Sequence, residues 1–484
     1  MADFRYFVGG KLQSLSTASL GSIRSFGVSG ASARGPRARG GPARADALRS
    51  AMHSHQPFAN RFQSVSESAT LVHAEKKTGD VTILTESLAI DGARKSEIQW
   101  LRKTLGFEVV DEGSQSKVLL RAPQGGRAGV EAVFEAARAL VRRGHVQTAS
   151  PNFLRALAQN PLPKAPAGTP WHLDNPGNPG LVGADVHALA AWTISKGGPE
   201  IRVAILDEGV DTAHPALQPA VAAERDFIGT NGNSAAPAGD DAHGTACAGI
   251  VVLDAQVRGL APGARLFAAR IALGDGQDGW VFDDFKTAEA IDWCWDDAKA
   301  DVLSNSWGGG APSDTIRRAF DRARTKGRAG KGAVVVCAAG NDQAPVDFPG
   351  TLAFVLTVGA SNQWDQRKTK SSKDGETWWG SNYGPSLDLL APGVQIATTD
   401  ISGAHGYTQN DYVPNFNGTS SATPNAAAAA ALVLSVRPDL KEDTVRTLLM
   451  TSTDPLTADH QPSPYVGHGR LNAYAALRAA RRAG

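Results

Sequence analysis

The chain has 484 residues, enough for two or three domains, and its hydrophobic share of 42% is that of an ordinary globular protein rather than a disordered one. Its formal net charge of +1 excludes bulk electrostatic attraction to nucleic acid or to a membrane surface. Its three cysteines, Cys247, Cys294 and Cys337, form no Cys-x-x-Cys pair and leave one over in any pairing, so reduced thiols are expected in place of disulfides or a zinc site.

The opening segment, MADFRYFVGGKLQSL, lacks the basic start and continuous apolar core of a secretory signal. With the odd cysteine count, that argues for the cytoplasm. Residues 19–50 are rich in Ser, Gly, Ala, Pro and Arg and too poor in apolar groups to offset their ordering entropy. Residues 1–65 are therefore expected to be mostly disordered, a linker or a basic arm.

From 66 to 157 the pattern changes. Val81-Thr-Ile-Leu84 reads as a strand, and Ile98, Leu101 and Leu105 mark a helix over 96–105. Phe107-Glu-Val-Val110 and Lys117-Val-Leu-Leu120 read as strands joined by a turn. Val133, Ala136, Ala137 and Leu140 have helical spacing, and 145–153 is extended. The order β-α-β-β-α-β predicts a small ferredoxin-like α+β domain. A Pro-rich linker over 158–169 follows.

The segment 170–484 alternates strands and helices. Ile201-Arg-Val-Ala-Ile-Leu206, Asp301-Val-Leu-Ser304, Ala333-Val-Val-Val336 and Phe354-Val-Leu-Thr-Val358 carry apolar residues on both faces. That pattern predicts a mainly parallel sheet covered by helices, an α/β fold in three layers. The Ala-rich run 426–436 is too short to span a bilayer and reads as a buried helix.

A serine hydroxyl attacks a carbonyl only with a base beside it, a group to orient that base, and donors for the oxyanion that develops. Ser420 lies in Asn417-Gly-Thr-Ser-Ser-Ala-Thr-Pro424, at the start of the Ala-rich helix, because proline is tolerated in a helix's first turn. His243 lies in Asp240-Asp-Ala-His-Gly-Thr-Ala-Cys-Ala-Gly249, among small residues. Asp207 ends the strand Val203-Ala-Ile-Leu-Asp207, at the carboxyl edge where open α/β sheets bind ligands. Taken singly, each has an ordinary structural explanation as a cap or turn residue.

Together these segments resemble the three active-site signatures of subtilisin-like serine peptidases, in that family's order of Asp, His and Ser. The resemblance covers 170–484 and implies a subtilisin-like catalytic domain with Asp207, His243 and Ser420 as its triad. Val336-Cys-Ala-Ala-Gly-Asn341 resembles the segment that supplies an oxyanion-hole asparagine, which implies that role for Asn341. By the same resemblance, Ser306, Trp307 and Gly308 form one wall of the pocket for the residue before the scissile bond, and Ala338, Ala339 and Gly340 form the other. Substrate would bind there by strand addition. The region 66–157 stands where such enzymes carry an inhibitory propeptide, which implies a precursor held by its own N-terminal domain.

This chain departs from the family at two places. Glu208 follows the triad aspartate where Ser, Thr or Asp is usual. Ala216 stands where the family supplies an aspartate to a calcium site, so one calcium ligand is missing; structural calcium has room elsewhere, and the chemistry requires no cofactor. Asp347, before Phe348-Pro-Gly350, would favour Lys or Arg before the cleaved bond if it points into the pocket, with Glu208 adding charge near the next subsite. Arg155 and Lys164 would then be candidate self-processing positions. The expected function is peptide-bond hydrolysis on polypeptide substrates. Transpeptidation and a catalytically silent binding scaffold are the alternatives.

Overall fold

In the computed structural model, the described residues are 2–8, 11–19, 71–74, 81–113, 116–143, 146–158, 170–229, 234–254, 257–274 and 279–483. The N-terminal region consists of β1 (Ala2–Val8), β2 (Lys11–Ser19), β3 (Leu71–Ala74), β4 (Val81–Asp91), α1 (Lys95–Leu105), β5 (Glu108–Glu112), β6 (Val118–Arg121), α2 (Gly126–Arg143) and β7 (Thr148–Ala158). From β4 to β7 the order is the expected β-α-β-β-α-β. The antiparallel pairing runs β7-β4-β6-β5, so the first and third strands of the unit lie side by side in its centre. Leu88, Ile90, Leu101, Leu120, Val133, Ala137 and Leu140 close a core between this sheet and the two helices.

One boundary needs correction. Residues 2–8 and 11–19, expected to be disordered, form an antiparallel hairpin whose second strand pairs with β3. Tyr6 explains the ordering. It is fully buried, packs edge-on against Phe134 and Phe153, and donates its hydroxyl to Pro312 O at 2.7 Å. The Ser- and Arg-rich stretch 20–65 and the linker residues 159–169, with Lys164, lie outside the described residues.

The second region comprises α3 (Ala188–Trp192), β8 (Arg202–Asp207), β9 (Val221–Asp226), α4 (His243–Val252), β10 (Arg265–Arg270), β11 (Ala272–Gly274), β12 (Gly279–Asp283), α5 (Asp284–Asp292), β13 (Val302–Asn305), α6 (Asp314–Gly330), β14 (Val334–Ala338), β15 (Leu356–Ser361), β16 (Leu389–Pro392), β17 (Ile396–Thr399), β18 (Tyr412–Phe416), α7 (Thr419–Val436), α8 (Glu442–Thr451) and α9 (Ala473–Ala480). Seven strands form one sheet in the order β16-β15-β14-β13-β8-β10-β9, parallel throughout. Side-chain alternation splits the core in two. Val203 and Ile205 face α4 and the alanines of α7, whereas Ala204 and Leu206 face α5 and α6. A sheet buried on both faces accounts for the continuous apolar runs in its strands.

The two regions share a second sheet. β7 pairs antiparallel with β12, Ala158 opposite Gly279 and Leu154 opposite Asp283. Buried charges stitch the same boundary. Lys117 of the N-terminal region pairs with Asp292 of α5; Arg322 of α6 bonds Asp292 at 2.8–2.9 Å and also pairs with Asp91 of β4. Asn152 of β7 donates to Asp283 at 2.5 Å and accepts the N–H of Phe285 at 3.2 Å. Among the described residues, no helix is long and apolar enough to cross a membrane.

Candidate active site

Three elements end at one edge of the parallel sheet. Asp207 is the last residue of β8, His243 is the first of α4, and Ser420 is the second of α7. Their burial differs little: Asp207 is 0%, His243 5% and Ser420 7% exposed, so all three side chains lie out of bulk water. Asp207 faces His243 Nδ1 with both oxygens, at 3.0 and 3.1 Å. That contact fixes the ring's orientation and leaves Nε2 for a second partner. Gly244 must be glycine here, since a Cβ would collide with Gly209 O and crowd Asp207.

Ser420 opens a helix whose capping residue, Gly418, has φ 121°, which favours glycine. The hydroxyl of Ser420 donates to Ser306 O at 3.3 Å, and Ser306 Oγ donates to Ser420 O at 2.9 Å. Cys247 Sγ lies 3.4 Å from Ser420 O and 3.8 Å from His243 Nδ1, so the thiol touches both. Burial, with Asp207 nearby, pushes its pKa well up, and it stays a neutral packing group.

Asn341 turns its side-chain oxygen to the start of α7, accepting from Thr419 N at 2.8 Å and Thr419 Oγ1 at 3.0 Å. Its amide nitrogen therefore lies on the other side, toward the Gly418 turn. Thr419 was not singled out from the sequence, yet it links both walls, because its Oγ1 also accepts the N–H of Gly340 at 3.2 Å. Nothing in a Gly-Thr-Ser string marks which hydroxyl will do this.

The expected pocket segments approach each other. Gly309 N donates to Phe348 O at 2.7 Å, and Asp347 N donates to Ala339 O at 3.1 Å. Trp307 sends its ring into the core, against Phe282 and Phe320, so at that position a substrate meets backbone. Ala338 and Ala339 are buried, and Gly340 has φ 104°, pressed against Asp347 and Asn382. Asp347 is half-buried and accepts from Asn382 Nδ2 at 2.8 Å. Glu208 turns inward: it is 1% exposed and accepts the backbone N–H of His243 at 2.8 Å.

Two aromatic rings complete the site, and neither was flagged in the sequence. Trp280 of β12 and Phe416 of β18 stand edge-on to His243, with ring centroids 4.7 and 5.2 Å away. Each comes from a segment distant in sequence, and no spacing rule connects them to the histidine.

The chain is similar to known proteins in sequence and in fold. The family model described as the subtilase family matches residues 198–469. A subtilisin of Bacillus pumilus is 32% identical over 292 residues, covering 58% of this chain and 92% of its own length. A calcium-dependent protease of Nostoc sp. (strain PCC 7120) is 31% identical over 443 residues, covering 82% of this chain; the chain spans 64% of that relative's length. Among solved structures, a protease of Pseudoalteromonas arctica superposes with a TM-score of 0.53 at 26% identity, over 64% of this chain and 97% of its own. A serine protease of Aeromonas sobria superposes with a TM-score of 0.57 at 23% identity, over 66% and 68% of the two chains, a likeness of fold.

Calcium prefers six to eight oxygen ligands. Among the described residues, the one trio of ligating side chains close enough to share an ion is Asp207, His243 and Cys247. A thiol and an imidazole do not suit that ion, and Ala216 offers no side-chain donor.

Proposed function

Because the chain belongs to the subtilase family of serine proteases, we propose that it is a serine endopeptidase with Asp207, His243 and Ser420 as its triad, held as a precursor by its own N-terminal region. The observation that carries the reading is the Asp207 carboxylate on His243 Nδ1, beside a serine at a buried helix N-terminus. In the reaction, the Ser420 hydroxyl leaves Ser306 O, turns to His243 Nε2 and attacks the peptide carbonyl as the imidazole takes its proton. Asp207 stabilises the imidazolium. The oxyanion takes donors from the Asn341 amide and the backbone N–H of Ser420, at the positive end of α7. His243 then protonates the leaving amine, and water repeats the sequence on the acyl-enzyme.

Substrate binds as an added strand. The pairing of β7 with β12 supports both this and the precursor reading, because the end of the N-terminal region already occupies that edge as a strand would. The Asp347 carboxylate against Gly340 supports a preference for Lys or Arg before the cleaved bond.

Fluorophosphonate labelling with intact-mass analysis tests the reading. The wild-type chain should gain one adduct, and Ser420→Ala none. Loss of the N-terminal region from the wild type alone would show self-processing as well. A wild-type chain that has lost its N-terminal region and still takes no label, or a Ser420→Ala chain that takes it equally, overturns the assignment.

A further inference from the structure

Glu208 makes a bracket around the base and its orienting acid. Its backbone N–H donates to Asp207 Oδ1 at 2.9 Å, and its own carboxylate accepts the backbone N–H of His243 at 2.8 Å. Its carbonyl is held in turn by Arg270 Nε at 3.1 Å. One residue therefore touches both members of the Asp–His pair, and a fully buried arginine fixes it in place.

The contact at His243 has a clear physical cause. The first backbone N–H groups of a helix lack partners within it. In α4 the first such group is that of His243, the capping residue is Ala242, which has no side-chain acceptor, and the first turn contains no acid. Glu208 supplies the missing acceptor from the end of the neighbouring strand. A carboxylate at that place also meets the positive end of the helix.

We propose that Glu208 is a positioning residue for the base, fixing the His243 backbone and adding a second negative charge beside the imidazolium that forms during acyl transfer. This rests on the triad assignment above. At this position a serine or threonine would bring no charge and an aspartate a shorter reach, so the glutamate supplies both together. The charged and titratable groups packed around the site are Asp207 on β8, Arg270 on β10, Asp226 on β9, Asp241 before α4, Cys247 on α4 and Tyr407 before β18. Arg270 lies 3.9 Å from Asp226 and 4.0 Å from Asp241, and so is shared among several acids. Cys247 is buried and Tyr407 half-buried, and both are held neutral.

Saturation kinetics of fluorophosphonate inactivation, measured on the full chain across pH 5–10, test the proposal. Glu208→Ala should lower the limiting rate by about 10–100-fold with an unchanged half-saturating concentration, since a shift of the base matters after binding. Glu208→Gln keeps the acceptor and should recover most of that rate near pH 8. Having lost the charge, it should move the acid limb of the profile down by about one pH unit. Glu208→Asp, too short to reach, should behave like the alanine variant. A Glu208→Gln profile that superposes on the wild type, in a chain with an unchanged melting temperature, overturns the charge role; a wild-type rate in Glu208→Ala overturns the positioning role. If Glu208→Ala does not fold, the glutamine variant decides alone. A wild-type chain that does not react even after an added protease has removed its N-terminal region sinks the triad assignment and this inference with it, which separates that failure from one confined to Glu208.

Discussion

The indole of Trp280 meets the imidazole of His243 edge-on, with ring centroids 4.7 Å apart and planes at 85°. Trp280 also lies opposite Leu157 where β12 pairs with the last strand of the N-terminal region. His243 is thus packed against the strand whose edge the N-terminal region occupies, and Phe416 supports the ring from another side. Whatever pairs with β12 bears on the wall that holds the His243 ring.

Trp280→Ala should therefore slow fluorophosphonate inactivation by about tenfold, because an aromatic pair contributes about 0.5–1.5 kcal/mol beyond its buried area. Trp280→Phe, which keeps a ring in contact, should restore most of the rate. Equal rates in all three chains would reduce the contact to packing.

Asn341→Ala should leave the nucleophile in place and remove one oxyanion donor. The expected loss in turnover is roughly 10²–10³-fold, a figure that comes from subtilisin itself. Thr419→Val should lose less. It removes the hydroxyl bridge to Asn341 and Gly340 but keeps the backbone donor, Thr419 N, that bonds the Asn341 oxygen. Steady-state hydrolysis of a chromogenic peptide separates the two, and a Thr419→Val loss as large as that of Asn341→Ala would reverse this ranking.

The β-α-β-β-α-β order of β4–β7 and the mainly parallel sheet of the second region were legible because they rest on local period. Val302–Asn305 and Val334–Ala338 are apolar on both faces since helices cover both, and α2 repeats its buried residues at helical spacing. The hairpin of β1 and β2 was not legible. Its anchor, Tyr6, gains from Phe134 and Phe153, partners more than a hundred positions away in the chain. Trp280 and Phe416 were hidden likewise, because neither is a local neighbour of His243 in the chain. Glu208 could be read as facing substrate from its place after Asp207. What turns it inward is the unpartnered N–H at the start of α4, a demand created only when strand and helix meet.

The boundary between the two regions depends on buried charge. Lys117 and Asp292 are each about 1% exposed, and Arg322 completes the group. Burial lowers the Lys117 pKa, with Asp292 opposing. Removing one partner of a buried pair leaves an uncompensated charge, at a cost of about 3–5 kcal/mol. Lys117→Met should accordingly loosen the N-terminal region, seen as faster cleavage of residues 81–158 by an added protease in a Ser420→Ala background. Replacing both partners, Lys117→Met with Asp292→Leu, still strands Arg322 beside Asp91 and should recover only part of the protection. Full protection in the single variant would show that apolar packing alone holds the boundary.

Asp283 gives that boundary a pH dependence. It lies at the junction of β12 and α5, buried beneath the N-terminal region, where it accepts from Asn152 at 2.5 Å and from Lys286 N at 2.8 Å. Burial raises its pKa from 3.8 to about 6, against the pull of those two hydrogen bonds. A carboxyl raised in the folded state binds its proton more tightly there than in the unfolded chain. Its contribution is therefore fully present below about pH 4 and lost as the pH rises through about 6. Asp241 and Asp388 shift the same way to about 6, so the whole-chain profile mixes several groups. A comparison with Asp283→Asn isolates one of them, because asparagine can still accept from Lys286 N but does not ionise. In a Ser420→Ala background, the wild-type Asp283 chain should lose more melting temperature between pH 4.5 and 7.5 than the Asp283→Asn chain. Added protease should also reach β7 more readily at the higher pH in the Asp283 chain alone. Parallel melting curves for the two chains would show that Asp283 does not carry this dependence, and that the hold on the N-terminal region is insensitive to its ionisation.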